Sequence, residues 1–183
     1  MNAPSGQLAA PALQALLQHG VLAGDWTLDP GRSSVRLKAK VMGLIPVNGV
    51  FREVTGSGAV RPDGAVSGTL TVAAASVDTH NARRDKHLRS ADFFDTAHHR
   101  DITFTADGLR PSGHSVTVTG ALTVRGQTRP LSVEAAAAVR GDNEVTLEAS
   151  LRINRAGFGL TWNSLGLTSM LSILSIHATF TRR

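Results

Sequence analysis

The chain has 183 residues, of which 42% are hydrophobic, which is enough for one domain with a full core and excludes a disordered composition. Cysteine is absent, which excludes disulfides, thiol catalysis and thiolate metal sites. The net charge of +5 favours anionic partners, but Lys and Arg are spread along the chain without interleaved aromatics, so no nucleic-acid groove is expected.

Residues 1–24 read as a loose tail followed by a short amphipathic helix. Pro11 can open that helix, where a missing N–H costs nothing. Leu13, Leu16 and Leu17 fall on one face, and Gly20 can end it. So short a helix is marginal alone and must pack on the body or on another copy. No Lys or Arg precedes the apolar part of "MNAPSGQLAAPALQALLQHGVLAG", so no secretory signal is read and a cytoplasmic setting is expected. No apolar run reaches 18 residues, so no stable membrane insertion is expected.

From Asp25 the apolar period changes from 3.6 to 2. "SSVRLKAKV" sets Val35, Leu37, Ala39 and Val41 against Arg36, Lys38 and Lys40. "GTLTVAAAS", "DITFTADG", "SVTVTGALTVRG", "PLSVEAAAAV", "EVTLEASLRIN" and "SILSIHATF" repeat the alternation. They read as half-buried strands separated by Gly- and Pro-rich turns such as "RPDGAVSG" and "RGDN". With "VNGVFREVTGSGAV" the count is about eight, with almost no intervening helix, so the sheet is antiparallel. It can fold over as a sandwich or close as a barrel. Tyrosine is absent and aromatics are 4%, so the interior is mostly Val, Leu, Ile and Ala. That composition suits a narrow apolar channel or a tight small-residue core. In a hollow barrel the inward Leu37, Leu70, Val72, Phe104, Val118, Leu122, Leu151 and Ile153 form the wall, with Phe51, Phe158 and Trp162.

The two-residue rhythm fails between Ser76 and Ile102. Unstructured connections of that length are uncommon and often functional. Asn81 can cap a short helix over "NARRDKHLRS", and Ser90 can cap a turn over "SADFFD". His80 and His87 are two helical turns apart, but a metal site needs three or four converging ligands and no compact ligand motif is present. Asp85, His87 and Ser90 invite a triad reading. No GxSxG elbow accompanies them, and residues two apart on a helix do not face each other. Ion pairs and caps among Arg83, Arg84, Asp85, Arg89 and Asp92 are the plainer reading, with Phe93 and Phe94 buried. The functional version has Leu88, Phe93 and Phe94 turned to the pore, and Arg83, Arg84 or Arg89 meeting an anionic head group.

"SVDTHNARRDKHLRSADFFD" followed by "ITF" resembles the signature of the YceI-like family, lipocalin-like proteins that bind polyisoprenoids. "WTLDPGRSSVRL", "VNGVF", "GALTVRGQTRPLSV" and "INRAGFG" resemble further family segments in the right order, covering about Gly24 to Arg183. The resemblance implies a barrel domain over 25–183: an eight-stranded antiparallel all-β lipocalin-like barrel, flared, with a long apolar pore holding an isoprenoid or related lipid. It implies no cofactor beyond that bound lipid, no established catalytic residue and a homodimer. This chain departs at Arg32 and Val41, where the family often has His, at His99-Arg100, where it has Tyr-Pro, and at Gly157, where it has Asp. The function expected is sequestration or transport of an isoprenoid such as a quinone or prenyl phosphate, without catalysis. The alternatives are an enzyme acting on a prenyl phosphate or ester through the insert, and a filled barrel that associates through Leu13, Leu16 and Leu17.

Overall fold

The computed structural model describes residues 10–41, 44–163 and 168–183. Eleven strand segments and two helices follow in order: α1 (Ala10–Gln18), β1 (Gly24–Leu28), β2 (Ser34–Val41), β3 (Ile45–Phe51), β4 (Val54–Val60), β5 (Val66–Ala73), β6 (Val77–Asp78), α2 (Ala82–Arg89), β7 (Asp101–Ser112), β8 (Ser115–Val124), β9 (Gln127–Arg140), β10 (Glu144–Asn154) and β11 (Thr168–Arg182).

Eight of these strands close a ring. Its order is β1-β4-β5-β7-β8-β9-β10-β11, and β11 returns to β1 through Trp26↔Arg182 and Leu28↔Phe180. Every pairing is antiparallel, as short turns between successive strands require. Of the two solutions open to the sequence, the chain takes the barrel. Closure removes the exposed edges that a sandwich leaves.

The other three strands, β2, β3 and β6, extend the sheet beyond β11. β1 and β2 share one edge of β11, β2 pairing with Thr168–His177 and β1 with Phe180–Arg182. Between them Pro30 cannot donate to a ladder, and a 3₁₀ turn forms over Pro30–Arg32. The Asp29 carboxylate accepts from the Gly31 amide at 2.9 Å, and Arg32 bridges Asp29 and Glu144, each at 2.7 Å. β3 pairs with β2 on one side and only with two-residue β6 on the other, so this side of the wall leaves the ring and flares. The insert α2 fills the opening.

Gly120 shows how tightly the wall is drawn. A Cβ there would sit 2.1 Å from the Thr105 carbonyl oxygen, beside the bulge between Ala106 and Gly108.

Two apolar clusters occupy the two ends of the barrel. One gathers Phe51, Val54, Val72, Val77, Leu88, Phe93, Phe94, Phe158 and Leu160 beneath the insert. The other gathers Leu13, Leu17, Leu22, Trp26, Val116, Val118, Ala135 and Ala137 beneath α1. α1 ends as the sequence predicts. Gly20 adopts φ +67°, the Val21 amide donates to the Leu16 carbonyl and the Gly20 amide to that of Leu17. The apolar stretch 160–174 begins with Leu160, which joins the cluster beneath the insert. Its described part lies at the insert end, where Thr168 pairs with Val41, while residues 164–167 lie outside the described residues.

Candidate functional site: an apolar cavity between two closures

The ring surrounds a cavity of about 200 Å³ that is partly open to solvent. Each of its eight strands contributes, from Trp26 on β1 and Val60 on β4 to Phe180 on β11, while β2, β3 and β6 contribute nothing. The hollow has a simple origin in side-chain size. Ala106, Ala135, Ala137, Ala149 and Ala178 point inward among Val and Leu, and Gly58 and Gly68 add no side chain. Among the described residues no charged side chain lines it. A polar head group placed there would lose its hydration without a partner, which costs several kcal/mol, so the space suits an apolar chain.

The expected wall residues divide between the two zones. Leu70, Phe104, Val118, Leu122 and Leu151 line the cavity. Leu37 and Ile153 pack half-buried on the cluster above it, and Phe51, Val72, Leu88, Phe93, Phe94 and Phe158 are buried in that cluster. Phe93 and Phe94 meet edge-to-face at 4.9 Å, and Phe94 meets Phe51 at 6.0 Å. Trp162 is instead 38% exposed, its ring 4.3 Å from that of His87. The sequence reading missed the other end. Leu13, Leu17 and Leu22 close the cavity there, and the leucine face of α1 was the available signal.

The insert forms as its caps predict. Asn81 accepts from the Arg84 amide at 3.0 Å and opens α2. His80 precedes the helix at φ +58°, so it shares no helical face with His87. The expected Arg–Asp pairs do not form within α2. Arg84 donates to the Thr79 hydroxyl at 2.7 Å and carbonyl at 2.8 Å, and Arg89 donates to the carbonyls of Ala75 and Val77, both at 2.7 Å. Buried Asp85 accepts from the amide and hydroxyl of Thr79, at 3.0 and 2.5 Å. The reason is geometric: β6 is too short to satisfy its own backbone, and buried carbonyls need donors. Arg83 stays exposed.

Arg155 ties the neighbouring turn. It is 4% exposed and donates to the carbonyls of Leu160, Trp162 and Ser169, at 2.7, 2.8 and 3.0 Å. Its guanidinium lies 5.4 Å from the centre of the Phe93 ring. No carboxylate pairs with it among the described residues, and burial lowers its pKa. Arg125 and Arg129 reach across to the carbonyls of Ala91 and Gly157, at 2.9 and 3.2 Å. Among the described residues no three His, Asp or Glu side chains gather as a metal site would require. No helix among them is long and apolar enough to cross a membrane.

The arrangement has counterparts among known proteins. The family model of the YceI-like domain matches residues 26–180. The Protein YceI of Escherichia coli O157:H7 is 33% identical over 126 residues, 67% of this chain and 66% of its own length, just under two thirds. A UPF0312 protein of Azotobacter vinelandii is 37% identical over 136 residues, 70% of each chain. Among solved structures, Burkholderia cenocepacia BcnA superposes with a TM-score of 0.75 at 23% identity, covering 83% of this chain and 98% of that one. A polyisoprenoid binding domain from Saccharophagus degradans gives 0.73 at 16% identity, over 86% and 98%. With this barrel, insert and family match over nearly its whole length, the chain belongs to the YceI-like family.

Proposed function

We propose that the protein binds a long apolar lipid in its barrel, an isoprenoid chain such as that of a quinone or prenyl phosphate, and sequesters or carries it without chemistry of its own. The observation that carries this reading is the apolar cavity inside the ring, walled by all eight ring strands and free of charged side chains among the described residues. Each buried CH₂ contributes roughly 0.8 kcal/mol, so a short stretch of chain already gives ample gross affinity before its ordering cost. The solved relative described as a polyisoprenoid binding domain lends support, since its fold is the same. The leucines of α1 occupy one end of the hollow, so a chain longer than the present cavity displaces them. The polar head lies outside the wall just described. Arg84 and Arg89 are engaged by the insert's own backbone, which leaves exposed Arg83 as the insert arginine free for an anionic head. A cytoplasmic setting and a homodimer belong to the same proposal, and fractionation and sedimentation test them.

Native mass spectrometry before and after organic extraction tests the central reading. A co-purified long-chain lipid lost on extraction is the expected result. Val118→Asp and Leu151→Asp, each placing a carboxylate in the wall, are expected to abolish that lipid while circular dichroism retains the barrel. A protein free of lipid in every preparation, with phosphatase or esterase turnover lost in Asp85→Ala, overturns it.

A further inference from the structure

The outer face of the flared side carries a pattern the cavity does not explain. Register sets Arg152, Ile173, Lys38 and Asn48 in one row, and Ser150, Ser175, Arg36 and Val50 in the next. Lys40 stands opposite Pro46 beyond them. Arg36, Lys38, Lys40 and Arg152 are exposed, and among the described residues none of their side chains forms an ion pair or hydrogen bond. The first row contains no acidic residue, and the second runs on from Val50 to Asp78, whose carboxylate is already held by Arg52 at 2.6 Å. Glu148 comes only in the following row, already joined to His177 at 3.0 Å.

At the rim of the flared side large aliphatic side chains stand in water: Leu171 on the face of the cations, Ile45 on the opposite face of β3, and Leu44 in the turn before it. Leu44 is 86% exposed, Ile45 54% and Leu171 53%. Ile45 pairs with Val41, Val41 with Thr168, and Leu171 with Asn154, so the three lie at the same end as the insert. An aliphatic tip beside a stripe of unpaired cations is the composition that rests on a bilayer surface, apolar groups in the interface and cations among anionic head groups.

We propose that this rim docks the barrel, insert end first, on a bilayer containing anionic phospholipid. Charge complementarity selects that occupant over a second copy of the chain. A two-fold contact through this face would set four unpaired cations against four more, a juxtaposition that costs affinity. A nucleic acid would meet the cations and leave Leu44, Ile45 and Leu171 without a role. Docked this way, the fixed insert end meets the bilayer and α1 faces away from it. The proposal stands apart from lipid carriage: loss of vesicle binding with lipid content unchanged separates the two.

Flotation of the full chain with large unilamellar vesicles tests it, comparing phosphatidylcholine alone with phosphatidylcholine containing phosphatidylglycerol, at low and high salt. The wild type should float with the anionic vesicles only, and less at high salt. Each cation near such a surface changes partitioning about fivefold, so Lys38→Glu/Lys40→Glu/Arg152→Glu should weaken binding by more than about 100-fold. Leu44→Asp/Ile45→Asp should weaken it at least about tenfold with thermal unfolding unchanged, since both side chains are exposed. Arg61→Glu, in the turn at the α1 end, should leave binding near wild type. The proposal falls if the wild type does not float with anionic vesicles at low salt, if the rim variants float like wild type, or if Arg61→Glu loses as much as the triple variant. Salt-insensitive self-association abolished by Leu44→Asp, with no vesicle binding, reassigns the rim to a second copy and also overturns it.

Discussion

The two ends of the barrel are closed by different physics. Under the insert, phenylalanines are overlaid by arginines that satisfy backbone carbonyls: Arg84 and Arg89 those of Ala75, Val77 and Thr79 on the segment that leads into α2, Arg155 those of the turn after β10. Under α1, closure is almost wholly aliphatic. Leu13, Leu17 and Leu22 cover the cavity, and the polar ties are few, the Trp26 indole donating to the Leu22 carbonyl at 3.1 Å and Arg182 to that of Val21. A directional network fixes one geometry, and breaking it leaves buried groups without partners. An apolar contact is non-directional and can be exchanged for another apolar surface, such as a lipid tail, at little net cost. The helix end is therefore the end that can give way to cargo, and the insert end is the fixed one.

The largest test of this contrast is Arg155→Met. It leaves three carbonyls without their donor, that of Leu160 buried and those of Trp162 and Ser169 half-buried. At about 1 kcal/mol for each of the three hydrogen bonds, the loss is about 3 kcal/mol of unfolding free energy. Urea denaturation followed by tryptophan fluorescence reads it. A loss below about 1 kcal/mol would mean that the carbonyl clamps do not hold this end.

Leu13→Ala/Leu17→Ala probes the other end and separates local from global stability. Truncating a fully buried leucine costs about 2–5 kcal/mol when the site cannot relax. Here the nine-residue helix can detach instead, so the cost is limited to the free energy of local opening. Hydrogen exchange should show α1 amides losing protection while β8, β9 and β10 keep theirs, and the exchange of bound lipid should accelerate. If the ring strands lose protection in step with α1, the helix is part of the cooperative core and the contrast between the ends collapses.

The legibility of these ends in the sequence follows the range of the interactions. The strands were readable because alternation is local, and the caps of α1 and α2 because Gly20 and Asn81 act within a turn. The five cavity residues named from parity, Leu70, Phe104, Val118, Leu122 and Leu151, needed only their own strand's period and the inward sense of the sheet. What was not readable depends on how distant segments meet. Parity cannot tell where along an inward row the hollow stops and packing begins, so Phe51, Val72 and Ile153 looked like Val118. Nor does composition say whether an arginine meets a carboxylate or a carbonyl. Arg84 and Arg89 turn to carbonyls because β6 extends for only two residues, a fact of topology. Trp162 read as wall because aromatics are scarce in this chain, yet it sits beyond the end of β10, past the rim.

The smallest expected effect concerns pH at the insert end. Asp78 joins β6 to the flared wall: its carboxylate accepts from the His80 amide at 2.8 Å and from Arg52 at 3.0 and 2.6 Å. The His80 amide bond, first, and then Arg52 hold its pKa below the ordinary 3.8. A carboxylate whose folded pKa is depressed contributes stability that is present above the unfolded value and lost as pH falls through the folded one. The group is half-buried and still reached by solvent, so the effect is local and modest. As pH drops below about 4, amides of residues 77–90 should exchange faster, corrected for intrinsic rates, while the ring strands are unchanged. Asp78→Asn should remove that acid-dependent step and exchange faster at neutral pH as well. An acid step that persists in Asp78→Asn would place the titrating group elsewhere at this end, with Asp95, whose pKa is lowered by His98, as the next carboxylate to substitute.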